Sequence, residues 1–311
     1  MEISILLAQN IISMFLMGII GYIVVKIGLL KGEDSKPLSS FTVYVFCPCM
    51  MISSFQIDYT TDKMRGLLLA AAAAVVVHIL FILGTNVLGK CFRFNPTERA
   101  SLIYSNAGNI IIPLVYAVLG KEWVFYSLAY IFVQNILIWT HGKLIISGIR
   151  EKSIRKIICN PNIVAMMVGL SLFVLRLRLP SVLGKCIEGM GNMIGPASML
   201  VIGMLFAKVD VKWIFRQKRI YLICFLRLVF FPAIIVLLIW GSGITSIHPD
   251  AFYILMVVLL ASSAPVAAMV TQIAQVYGGD AKYASVINAM TVLFCTITMP
   301  VIVFFYEFLC K

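Results

Sequence analysis

The sequence predicts an all-α integral membrane protein of ten transmembrane helices, set out as two inverted repeats of five with the fourth and ninth helices broken. Three observations carry this expectation. Of the 311 residues, 61% are hydrophobic and 12% charged, with a mean hydropathy of +1.02, whereas soluble domains carry about 25% charged residues. Ten stretches reach the roughly 20 apolar residues that a bilayer core requires, at 3–25, 37–56, 66–89, 98–118, 123–147, 161–177, 182–207, 219–241, 251–276 and 282–308. Prolines and amides recur at nearly constant offsets: 148 from Pro48 to Pro196, 153 from Pro96 to Pro249, 152 from Pro113 to Pro265 and 153 from Asn135 to Asn288. Five spans per half is an odd number, so the second half enters the bilayer from the opposite face.

The first span begins at Ile3 without a basic leader or a small-residue cleavage pattern, so it reads as a retained helix. Span 2 carries Pro48 near its middle, which predicts a kink unless neighbours satisfy the freed carbonyl. Span 3 runs through Ala70 to Ala74, small residues that let helices approach closely. Span 4 follows Asn95-Pro96 and contains Ser105-Asn106-Ala107-Gly108-Asn109-Ile110-Ile111-Ile112-Pro113. Two asparagines, a glycine and a proline there weaken the helical ladder, and in hydrocarbon each freed backbone group must find a partner or line a cavity. The interruption is expected at Gly108 to Pro113. Span 5 carries the adjacent amides Gln134 and Asn135.

Residues 1–150 form the first repeat, 151–160 a basic cytoplasmic linker and 161–311 the second repeat. In that second half, span 7 has Pro196 within it, Pro249 leads into span 9, and Ala261-Ser262-Ser263-Ala264-Pro265 forms a second interruption before Asn288 in span 10.

A net charge of +12 does not point to nucleic acid, because the cations sit in short loops, where they report orientation. With the amino terminus outside, seventeen lie on the inner side (Lys26, Lys31, Lys36, Lys90, Arg93, Arg99, Lys143, Arg150, Lys152, Arg155, Lys156, Lys208, Lys212, Arg216, Lys218, Arg219 and Lys282). Seven lie outside: Lys63, Arg65, Lys121, Arg176, Arg178, Lys185 and Lys311. Both termini are therefore expected to be extracytoplasmic, in a multi-pass protein of the cell membrane. The eight cysteines form no CxxC pair and read as small buried hydrophobes. His78, His141 and His248 are scattered, so no metal site is expected.

Paired interruptions mark the binding sites of inverted-repeat carriers. Asn106 and Asn109, three apart, share a helix face and either present amides to a substrate or satisfy carbonyls freed by Pro113. Ser262 and Ser263, with Thr271 and Gln272 beyond Pro265, are the candidates on span 9, although such hydroxyls also bond back to their own helix. Asn135 and Asn288 are read as supporting residues. Arg227 lies eight residues past Arg219, about 12 Å along a helix; a charge at that depth is costly and functional, either drawing in an anion or partnering exposed carbonyls or lipid headgroups. Glu188, two turns inside span 7, is its potential partner. Each interruption exposes half-helix ends carrying about half a unit of charge, so two positive ends can converge on one carboxylate. HExxH, GxGD, GxSxG and nucleotide-binding glycine loops are absent, and neither catalysis nor a cofactor is expected.

The chain resembles the auxin efflux carrier family, which holds plant auxin exporters and bacterial organic-acid permeases, over essentially all its length. The resemblance rests on ten spans in two fives, Asn106-Ala107-Gly108-Asn109 ahead of Pro113, Asn160-Pro161-Asn162, Gly195-Pro196 with Gly203, Ala264-Pro265, Ala284-Ser285 and Pro300. It departs from the family at Ile110 to Ile112, where a glycine is usual. The resemblance implies a scaffold of helices 1, 2, 6 and 7 that forms a homodimer. It also implies a moving domain of helices 3–5 and 8–10, in which helices 4 and 9 cross, and secondary transport of a small organic anion, auxin-like or dicarboxylate-like as malate is, by alternating access. The coupling ion, H+ or Na+, stays open. The alternatives are a sodium-coupled carrier similar to the bile acid symporters and a membrane receptor or sensor on a carrier fold.

Overall fold

The computed structural model describes residues 2–148, 159, 161–207, 217–277 and 279–311. The expected linker lies outside these residues except for Cys159, as do Arg150, Lys208, Lys212 and Arg216, and so do the side chains of Asn109, Gln272 and Lys282. Every regular element among the described residues is a helix.

The chain begins with α1 (Glu2–Lys26). After a short 3-10 turn at Gly32–Asp34 come α2 (Ser35–Phe41) and α3 (Cys47–Ser54). Next is α4 (Thr61–Phe92), the longest helix among the described residues, started by the Thr60 hydroxyl accepting the Lys63 N–H at 3.1 Å. The fourth span is two pieces, α5 (Pro96–Ile103) and α6 (Ile112–Val118), and the fifth is α7 (Lys121–Leu137) followed by α8 (Lys143–Ser147). In the second half lie α9 (Pro161–Val174), α10 (Ser181–Asn192), α11 (Ile194–Phe206), α12 (Lys218–Phe225), α13 (Phe231–Ser242), α14 (Ala251–Ser263), α15 (Ala268–Tyr277) and α16 (Ala281–Cys310).

Proline shapes the helices differently from a simple kink. A proline lacks an N–H and its ring crowds the carbonyl four residues back. Here five-residue wide turns of π type, at 42–46, 107–111 and 226–230, end two residues before Pro48, Pro113 and Pro232. The carbonyl that each proline would strand therefore falls inside a turn whose bonds reach one residue further. At the ends of two of these turns the Cys47 N–H is bonded to the Thr42 carbonyl and the Phe231 N–H to that of Leu226, both five residues back. A fourth wide turn, 138–142, joins α7 to α8. Pro196 instead occupies the third position of α11, just after the helix lapses at Met193.

Where two helices touch backbone to backbone, only glycine fits. A Cβ on Gly203 of α11 would overlap the Gly18 carbonyl oxygen of α1, and one on Gly21 would overlap that of Leu200. Small-residue seams of this kind replace the hydrophobic drive that lipid removes. By contrast α4 meets α7 and α14 across Ala70 and Ala74, both fully buried. At the corner between α4 and α5 the fully buried Glu98 caps its own helix by accepting the Asn95 N–H at 2.8 Å. It also accepts from Arg219 at 2.9 Å and from the Tyr283 hydroxyl at 3.0 Å, which ties α5, α12 and α16 together at one end.

Four helical stretches, Thr61–Phe92, Lys121–Ser147, Lys218–Ser242 and Tyr283–Cys310, are long and apolar enough to cross a membrane by length and composition; this is a multi-pass α-helical membrane protein. Of the cysteines, Cys47, Cys224 and Cys295 are buried, but Cys91, Cys159 and Cys186 are exposed. The expectation that all are buried fails because apolar surface is cheap to expose in a chain that faces lipid. Replacing Gly203 by Ala is expected to destabilise the protein by about 1–3 kcal/mol, seen as a lower melting temperature in detergent. Gly184→Ala, with nothing within 4 Å of the added atom, leaves it unchanged.

Candidate functional site

Two backbones leave the helical conformation beside each other. Tyr104 (φ −100°, ψ 128°) ends α5 in an extended conformation, and Ala264 (φ −61°, ψ 156°) ends α14 likewise. The two extended segments run antiparallel and bridge at Ser105 and Val266. The Asn106 N–H donates to the Pro265 carbonyl at 2.7 Å, and the Ala267 N–H to the Tyr104 carbonyl at 3.0 Å. The interruption thus falls at 104–106, upstream of the expected Gly108 to Pro113. That later stretch is helical, since the wide turn at 107–111 absorbs the proline and the extended residues are held from other helices.

Those partners are side chains. The Gln134 amide of α7 accepts the Ser105 N–H at 2.9 Å and donates to the Ser105 carbonyl at 2.8 Å, as a neighbouring strand would. On the other edge Thr291 Oγ1 accepts the Val266 N–H at 3.1 Å and Asn288 Nδ2 donates to the Val266 carbonyl at 2.8 Å. Arg227, fully buried, donates to the Leu102 carbonyl and to the Ala264 carbonyl, each at 3.2 Å, and stands 5.0 Å over the Phe81 ring. Its charge therefore answers the negative ends of α5 and α14. It meets Glu188 nowhere: that carboxylate pairs with Lys121 at 2.6 Å.

On the opposite side of the bridge, where the second half-helices begin, lies a cavity of about 250 Å³. Ser105, Asn106 and Gly108 line it from one crossing segment and Ala267, Ala268 and Met269 from the other; α7 adds Gln134, Asn135 and Ile138, and Tyr44, Asn162 and Tyr277 complete it. Of the expected site residues, Asn106 and Asn135 are brought together here. Ser262 and Ser263 are not: both hydroxyls donate back to the Leu259 carbonyl at 2.7 Å. Pro265 contributes its carbonyl to the bridge, and Pro113 packs against Gly195 of α11. Asn288 supports the bridge. Arg227 stays on the far side of it, away from the lining residues. Asn109 and Gln272 fall on side chains outside the described ones.

Among the described residues the Asn106 and Asn135 side chains have no hydrogen-bond partner, and the buried indole N–H of Trp139, another lining residue, has none. A buried polar group without a partner is costly; the Trp139 N–H is such a group, whereas the Asn106 and Asn135 amides are not sealed off and stay open to the cavity they line. Each second half-helix also opens with N–H groups that no earlier carbonyl of its own helix can accept. Among the described residues the lining offers donors, amide oxygens and a positive backbone field, and no carboxylate. Gln134, Asn162, Trp139, Tyr44 and Tyr277 were not expected here. For Gln134 the signal was present, as an amide in an apolar span. Replacing Gln134 by Leu orphans both backbone groups of Ser105, at about 1–3 kcal/mol each. The melting temperature in detergent is expected to fall accordingly, whereas Asn135→Ala, which breaks no bond, leaves it near that of the wild type.

A family model described as membrane transport protein matches residues 6–152 and again 145–303. An uncharacterized transporter of Schizosaccharomyces pombe is 28% identical over 99 residues, 30% of this chain, and the match spans 22% of that relative's length. With almost the whole chain covered and a helix crossing beside a polar cavity, this protein belongs to the membrane transport protein family of auxin efflux carrier-like transporters.

Proposed function

We propose that this transporter is a secondary carrier of a small organic anion, binding it in the cavity beside the crossing and exposing it alternately to either side of the cell membrane. The observation that carries the reading is the set of partnerless polar groups gathered where both second half-helices start. Two helix starts, each worth about half a positive charge, favour a carboxylate, and the Asn106 and Asn135 amides supply donors to orient it. A cavity of about 250 Å³, just below the roughly 300–1,000 Å³ of ordinary ligand pockets, suits a small acid.

The ten-span reading, with repeats at 1–150 and 161–311 about the cytoplasmic linker and both termini outside, is part of this proposal. Packing supports its division of labour: α1 lies on α11, and α3 on α9 and α10, whereas α4, α7 and α14 pack on one another. The first set is the scaffold through which two copies pair, and the second carries the crossing. The Lys121 to Glu188 ion pair joins the two sets at one end, and it must part or slide when they move.

Proteoliposomes holding the purified protein test the reading with labelled malate and indole-3-acetate. At least one is expected to show saturable flux, and Asn106→Ala is expected to weaken its binding by about 1–3 kcal/mol, or about 5–150-fold, with little loss of stability. Flux of cations or neutral solutes with no carboxylate moved overturns the proposal.

A further inference from the structure

Lys121, the first residue of α7, reaches across to Glu188 of α10, with its ammonium 2.6 Å from the carboxylate. Both charges sit where their own helices disfavour them. A cation at the amino end of one helix and a carboxylate one turn short of the carboxyl end of another each oppose the helix dipole, so each depends on the other. One turn along α7 from Lys121, the Phe125 ring meets those of Phe55 and Phe173 at centre-to-centre distances of 5.4 and 4.9 Å; Phe55 follows α3 and Phe173 belongs to α9. Apolar rings exchange neighbours at little cost. A parted ion pair leaves two charges facing two unfavourable dipoles, so at this end of the molecule the rings permit sliding and the pair resists it.

Lys121 is also joined to the cavity by a short path. The wide turn at 107–111, whose Gly108 lines the cavity, runs directly into α6. The seven residues of α6, about 10 Å of helix, lead to a tight turn closed by the Gly120 N–H on the Val115 carbonyl at 3.1 Å, and Lys121 follows. The half-helix that starts at the ligand space therefore ends at the ion pair.

We propose that the Lys121 to Glu188 pair is a latch: when formed it holds the crossing helices against the scaffold in the present conformation, it parts in the alternate one, and α6 links its state to the occupancy of the cavity. This rests on the alternating-access reading of the protein.

A water-soluble carbodiimide tests it, because the reagent joins an ammonium and a carboxylate in contact as an amide, and both side chains are open to it at 35% and 42% exposure. The full-length protein is treated in detergent, freed of reagent and reconstituted in proteoliposomes, with the link followed by mass spectrometry of digests. Linked protein is expected to bind labelled malate or indole-3-acetate within about twofold of untreated protein, since one binding conformation is kept. Its flux is expected to fall about tenfold or more, since the conformational step is blocked. Lys121→Gln and Glu188→Gln, treated alike, form no link and keep their flux, and the exchanged pair Lys121→Glu with Glu188→Lys regains both link and arrest. Linked protein with undiminished flux overturns the inference alone, as does failure of the link to form in the folded protein or an equal loss of flux in the treated single variants. A link that abolishes binding together with flux also overturns it, because the pair then shapes the cavity instead of holding a conformation. An untreated wild-type protein that moves neither acid overturns the carrier reading and the inference with it.

Discussion

A peptide group released from a helix inside a dry interior must be bonded again, and most of this structure follows from meeting that demand twice at one place. The two interruptions satisfy each other through the Ser105 and Val266 bridge, which amounts to a sheet one residue long. Its edges are finished by side chains: Gln134 on one side, Asn288 and Thr291 on the other. The carbonyl ends of α5 and α14 are answered by Arg227. Three separate helices, α7, the α12–α13 run and α16, are thereby held in register around the crossing. With the carbonyl ends closed off, the amide ends are left facing the cavity, and the polarity of the site is set by which ends the fold closes.

The helices themselves were legible from hydropathy alone, because burying backbone in lipid leaves few other conformations. Each expected apolar stretch contains one or more of the helices found, and both interruptions exist. What the sequence misplaced was where the ladder yields in span 4. Pro113 advertises a fault locally, but the choice between an extended break and a wide turn depends on Gln134, which lies 29 residues further on from Ser105, and on Pro265, which arrives from the other half of the chain. Spacing between prolines cannot report such partners. The equivalence drawn between Pro113 and Pro265 is looser than their offset suggests, since the first sits inside α6 and the second in the extended segment itself.

The site was legible to the extent that amides in apolar spans are costly and so need a reason. Asn106 and Asn135 reach the cavity, and Gln134 beside them does the bonding. Ser262 and Ser263 looked equally eligible, but hydroxyls next to a helix carbonyl are satisfied at home. Arg227 was visible as a deep charge, and the carbonyl alternative weighed for it is the one the hydrogen bonds support. Tyr44, Asn162 and Tyr277 come from three distant segments and carry no mark in sequence, being ordinary residues until the fold sets them around one space.

The wide turns have a consequence for how such helices change over time. Each holds one residue more than an α-helical path between the same points, and one residue corresponds to about 100° of rotation around a helix axis. Losing a single residue at 138–142 would let α7 and α8 run straight with the residues on either side still on their present faces, and only the residues within the turn, Ile138 and Trp139 among them, would be re-aimed. Insertions and deletions, normally confined to loops, thus have a permitted place within these membrane helices, where a one-residue length change re-aims a side chain toward or away from the cavity. Among relatives, a gap of one position at such a turn would carry more information about what the cavity admits than many substitutions along its walls.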